Sequence, residues 1–148
     1  MNCEKLLKDH LIKKQNPDFE QTKNQLKRAR KDPSTAEAVV PIDLTWSFAI
    51  AYHAMMRAGK ALMFSRGYLP TTKNSHRTIM EFTRLILGDE YQELLLRFNR
   101  MRRKRHDFIY DSQNHTTTSE AKSAIKTARE FIDKIAALVA EKGPGSLF

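Results

Sequence analysis

The chain of 148 residues holds one cysteine, Cys3, so no disulfide can close within it. Cysteine and histidine show no metal-ligand spacing either, so neither a structural nor a catalytic metal is expected. Together these point to a reducing, cytoplasmic setting. Glycine and proline number only five each, and so little punctuation favours long helices over a strand-and-turn fold. No apolar run approaches the roughly 20 residues of a membrane span. The opening residues, MNCEKLLKDHLIKK, carry acids and lack a signal-peptide apolar core. No glycine loop of the phosphate-cradling kind and no serine triad can be found, and no cofactor is expected.

What the chain does have is positive charge. Lysine and arginine total 26 against 17 acids, a formal net charge of +9. Hydrophobic residues make up 41% and charged residues 29%, which suits a one-domain soluble protein with a real core. Six of the positive charges fall in one stretch, Leu94 to Asp111, which reads LLLRFNRMRRKRHDFIYD. They are Arg97, Arg100, Arg102, Arg103, Lys104 and Arg105, with no acid between them. Clustered base predicts an anionic partner: nucleic acid, a nucleotide or an acidic protein face. A solvated basic face is the plainer alternative.

The same stretch keeps a helical rhythm. Tyr91, Leu94, Phe98, Met101, Arg105 and Phe108 recur at steps of three and four and share one stripe. Arg105 thus stands where an apolar residue is expected. Either it has a charge partner, a hydrogen-bonded cage or an anionic ligand, or it snorkels outward along its stem.

Along the chain, residues 3 to 14 read as a short amphipathic helix, an arm outside the core, so 1–15 is set apart from a bundle over 16–142. Asn16-Pro17 reads as a cap and first helical position, and Asp32-Pro33 as a kink or restart. Pro41 and Asp43 open the next helix, which ends at Gly67. Ser47, Ala51, Ala54, Ala58, Ala61 and Ser65 form a small-residue seam along it. That seam, with a cation on the Leu94 to Phe108 stripe, points to a homodimer. Tyr52 and His53 lie beside the seam, where a lone histidine is usually structural or solvated.

Tyr68 to Lys73 reads as a loop, and Asn74 or Ser75 caps a helix with Ile79, Phe82, Ile86 and Leu87 on its apolar face. Asp89 with Gln92, and Thr117 with Glu120, have capping-box spacing. The last helix runs from Ala121 to Val139 on a clean stripe. Gly143-Pro144 stops it, leaving 143–148 as a disordered tail. No convincing strand is seen. The expected fold is all-α, an antiparallel up-and-down bundle of four or five long helices.

The residues with chemistry are Arg102, Arg105, His106, Asp107 and Tyr110, with Arg100, Arg103 and Lys104 as further phosphate contacts. An arginine with a histidine suits metal-independent RNA cleavage, the imidazole moving a proton and the guanidinium stabilising the phosphorane. Non-catalytic binding and a purely structural role stay open beside it.

Two stretches carry a family resemblance. AIAYHAMMRAGKALMFSRGYLP resembles the signature "aYyAm.hAa.AlL...G", through Ala51, Tyr52, Ala54, Met55, Ala58, Ala61, Leu62 and Gly67. RHDFIYD comes later, then a loop and the helix SEAKSAIKTAREFIDKI. From about Asp18 to Glu141 the chain resembles a HEPN domain, a small helical family of prokaryotic toxin–antitoxin and defence systems. Arg105 matches the motif arginine, and Tyr110 falls where a histidine or tyrosine ends the motif. The resemblance implies a homodimer with motif helices facing one cleft. It also implies metal-independent endoribonuclease activity in members with the full Arg and His motif. A minimal nucleotidyltransferase is the implied partner, in some systems adding AMP to a motif tyrosine. This chain departs from the ribonuclease pattern, because Tyr110 fills the histidine slot and His106 directly follows the arginine. A phenol, pKa near 10, is a poor base at pH 7. The resemblance therefore favours a nucleotide- or nucleic-acid-binding module over an active toxin ribonuclease using Arg105 and His106.

Overall fold

The computed structural model describes residues 3–72, 75–110 and 115–142, with the side chains of 109, 110 and 142 outside the description. The expected tail over 143–148 lies outside the described residues. So do Asn74, one of the two expected caps, and the first part of the polar loop after Tyr110.

Among the described residues five long helices build the fold: α2 Phe19–Val39, α3 Leu44–Arg66, α4 Ser75–Leu87, α5 Gln92–Tyr110 and α6 Thr118–Lys142. A short helix, α1 Glu4–Lys8, precedes them. Among the described residues no helix is long and apolar enough to cross a membrane. The helical reading holds, with one correction. Two short strands are present: β1 Ile12–Lys14 and β2 Tyr68–Pro70 pair antiparallel, with Lys13 opposite Leu69.

That pairing changes the picture of the N-terminal segment. Expected as one helical arm, it divides into α1 and β1, and its Cys3, Leu6 and Ile12 are buried in the main core. Gly67 makes the junction. It ends α3 at φ 80°, its N–H bonding back to Phe64, while its carbonyl accepts from the Gln15 N–H at 2.8 Å. A Cβ there would lie 2.5 Å from the Gln15 carbonyl oxygen. Glycine is needed both for the left-handed conformation and for the close approach.

Other helix ends follow local chemistry. Asp43 caps α3 by accepting from the Trp46 N–H at 3.0 Å. Thr117 and Glu120 form both arms of a capping box, at 3.1 and 3.0 Å. At α2 the cap is Asp18, accepting from Gln21 N–H, and not Asn16. The helix runs on through Pro33 without a restart. Proline removes one rung of the ladder, but Leu26, Ala29 and Ala36 on either side are fully buried and hold α2 in place. A 3-10 turn over Asp89–Tyr91 leads into α5, in place of the expected Asp89–Gln92 box.

Helix α3 is the hub, packed by α2, α6, α4 and α5. Its small-residue seam, Ser47 to Ser65, is buried within the chain. Ser47 Oγ donates to the Ala36 carbonyl at 2.7 Å, and Thr22 Oγ1 lies 3.4 Å from that of Ala61. The seam therefore brings α2 against α3 inside one subunit and offers no surface to a second copy. On the α4 side Gly59 has the same use: a Cβ there would meet Ile79 Cγ2 at 2.4 Å. Tyr52, Phe82, Phe98 and Phe131 are fully buried around the hub, each ring contributing about 2 to 3 kcal/mol.

Candidate functional site

Helix α5 presents two different faces. One face turns to α6, and there its cations are neutralised. Arg97 donates to Glu130 at 2.8 Å and to Thr127 at 3.2 Å. Lys104 pairs with Glu120 at 2.5 Å and covers the Phe108 ring. These two of the six cations are engaged by the fold itself.

The other face turns to α3. Phe48 meets Phe108 edge-on at 5.4 Å, and one turn on Tyr52 meets Phe98 at 6.0 Å. Rising numbers on α3 thus face falling numbers on α5, so the two helices run antiparallel. Between these ring pairs lies Arg105. It is half-buried, its guanidinium carbon 5.7 Å from the centroid of Tyr52. The aromatic face meets the cation's need for a partner. No carboxylate among the described residues is within ion-pairing distance of it. Arg102, one turn earlier, is half-buried and donates to Asn99 Oδ1, at 3.2 and 3.3 Å.

Helix α4 completes the arrangement. Its first turn brings His76 to the same place, Nδ1 lying 3.0 Å from the Tyr52 hydroxyl. His53, next to Tyr52 on α3 and the more exposed of the two histidines, has its ring 6.5 Å from that of His76. Burial pushes the Tyr52 phenol up to about 12, against the pull of Arg105 and Arg102. It therefore stays protonated and can donate to His76. Burial lowers the His76 pKa, and Arg105, His53 and Lys60 lower it further. Burial, then Arg105 and Arg57, lower that of His53, with Asp32 opposing them. Both imidazoles are therefore neutral at pH 7, beside two guanidinium groups.

The expected site residues separate. Arg102 and Arg105 come together at the Tyr52 end. Arg100, Arg103, His106 and Asp107 lie exposed on α5, and Lys104 is held by Glu120. Tyr110 ends α5, but its side chain lies outside the described residues. The pairing of His53 with His76 has no sequence signal. Each is a single histidine on an amphipathic helix, and nothing in the chain's local pattern joins them. Tyr52 carries a signal only as part of the family signature. Among the described residues, no group of three or more histidines, cysteines or acids is placed to hold a metal.

Among curated proteins and solved structures, nothing matches the chain. The HEPN domain family does match, over residues 19–138. That span runs from the start of α2 almost to the end of α6 and carries every residue of the site above, while α1 and β1 fall outside it. On this match across most of its length, the chain belongs to the HEPN domain family.

Proposed function

We propose that the Arg102–Arg105 face of α5 binds the phosphates of a nucleotide or of RNA. One observation carries the reading. Arg105 is positioned by the Tyr52 ring, yet no carboxylate among the described residues neutralises it. An arginine held in place without an acid keeps its planar fork free to bind two oxygens of a phosphate. Arg102 beside it and the exposed Arg100 and Arg103 extend the positive surface. Membership of the HEPN family supports a nucleotide- or RNA-related role.

Titration of a fluorescent RNA oligonucleotide at low salt tests the proposal. Wild type should bind, and Arg105→Ala should weaken binding roughly tenfold. Absence of binding at low salt would overturn it and leave an acidic protein partner.

The proposal extends to the assembly that the resemblance implies: a homodimer working with a minimal nucleotidyltransferase in a toxin–antitoxin or defence setting. Light scattering at micromolar concentration should give twice the chain mass. A nucleotidyltransferase reading frame should lie beside the gene, and AMP transfer by that enzyme should be lost in Tyr110→Phe.

A second reading, metal-independent RNA cleavage, is favoured by the two neutral imidazoles beside Arg105. A neutral imidazole can accept the 2′-hydroxyl proton and, once protonated, pass it to the departing 5′-oxygen, while a guanidinium holds the charge on the phosphorane oxygens. It moves the acid–base role from His106 to His76 or His53. EDTA-resistant cleavage of total RNA that survives His106→Ala and is lost in His76→Ala would establish it; intact RNA would dismiss it.

A further inference from the structure

A cavity of about 240 Å³ opens between α3 and α4 beside the two histidines, with Gln25 of α2 at its wall. On α3 its lining is His53, Arg57 and Lys60, which are four and three residues apart and so share one face. The first turn of α4 adds Ser75 and His76, and the buried side chains of Met56 and Ile79 add apolar lining. Polar hydrogen-bond donors therefore converge over an apolar base. Arg57 is shared with Asp32, its Nε 3.0 Å from that carboxylate. Lys60 has no ion-pair partner among the described residues. Tyr52 engages Nδ1 of His76, which leaves Nε2 as the nitrogen open to a ligand.

The volume decides what fits. Sites for whole small molecules begin at roughly 300 Å³, so this cavity takes a head group and not an entire nucleotide. The lining decides its charge: Lys60 with the outer part of Arg57 calls for an anion. We propose that the cavity is a phosphomonoester subsite, holding the terminal phosphate of a 5′-phosphorylated RNA end or a free nucleotide. A monoester suits it better than an internal diester. The monoester carries close to two negative charges at pH 7 and three free oxygens, and a chain end enters a pocket that need have only one mouth. This deepens the reading that Arg102 and Arg105 bind phosphate. The subsite adds a preference for ends, and Arg105 takes the next phosphate along the strand.

Two short RNAs, identical except for a 5′-phosphate or a 5′-hydroxyl and labelled at the 3′ end, test it. AMP and adenosine serve as competitors. Wild type should prefer the 5′-phosphate RNA by about tenfold. Lys60→Gln should bring that RNA down to the 5′-hydroxyl level and leave the 5′-hydroxyl affinity unchanged. Lys60→Arg, which keeps the charge, should keep the preference and so show that charge and not misfolding is responsible. AMP should compete better than adenosine, and its strength relative to the phosphorylated RNA tells a free nucleotide from an RNA end. Equal affinity for the two RNAs, with AMP no better than adenosine, overturns the subsite while Arg105-dependent binding stands. Lys60-dependent AMP binding without any RNA binding keeps the subsite and overturns the RNA-binding role of the Arg105 face.

Discussion

Arg105 lies over the ring of Tyr52, 5.7 Å from its centroid, and the hydroxyl of that same ring is 3.0 Å from His76 Nδ1. One aromatic side chain thus positions a cation with its face and an imidazole with its edge. Tyr52→Phe separates the two roles. The ring remains for Arg105, so RNA affinity should stay within about twofold, cation–π contacts being worth about 0.5 to 2 kcal/mol. The lost hydrogen bond should lower stability by about 1 kcal/mol in urea denaturation. A large loss of affinity in Tyr52→Phe would show that the hydroxyl, and not the ring, organises the site.

The six cations of α5 should not behave alike. Lys104 is held by Glu120 and Arg97 by Glu130, whereas Arg102 has no carboxylate partner among the described residues and donates to Asn99. Arg102→Ala should reduce the slope of log affinity against log salt by about 0.7 to 0.9. Lys104→Ala should leave that slope nearly unchanged and lower stability by about 0.5 kcal/mol. Equal slope changes in both variants would place Lys104 on the nucleic acid despite its ion pair.

Acid should destabilise the protein before its carboxylates titrate. His53 and His76 have pKa values lowered in the folded state, chiefly by burial and then by Arg105. The unfolded chain, with imidazoles near 6.5, then binds protons that the folded chain refuses. Stability is complete above about pH 6.5 and falls as pH drops toward the lowered folded values. The lowered carboxylates Glu81 and Glu120 act further down, below their ordinary value of 4.5. Urea denaturation at pH 7.5 and 5 should show wild type losing stability and His76→Gln losing less. Identical losses would mean that His76 titrates normally.

Gly59 lets α3 and α4 approach, and so sets where His76 stands relative to Tyr52. A Cβ would come within 2.4 Å of Ile79 Cγ2, and Ile79 is itself buried. Gly59→Ala should cost about 1 to 3 kcal/mol of stability through overpacking, with a weakened preference for 5′-phosphate. An increase in stability from the better helix former would show that α4 moves aside freely.

The elements were legible in the sequence because their determinants are local. The Asp43 cap, the Thr117–Glu120 box and the Gly67 stop each depend on residues three or four apart, or on one backbone angle. The small-residue seam announced a close helix contact for the same reason, and the stripe marked Arg105 as out of place. What those features meet was settled by packing. The seam closes on α2 within one subunit, as the bond from Ser47 to Ala36 shows, although the pattern alone equally fits a second copy. Ile12 pairs with Pro70 across 58 residues, beside the bond from the Gln15 N–H to the Gly67 carbonyl at the end of α3. Tyr52, His76 and Arg105 come from three helices, and the fold alone joins them. A one-dimensional pattern states which face of a helix is apolar, but the partner of that face depends on how four other helices pack around α3.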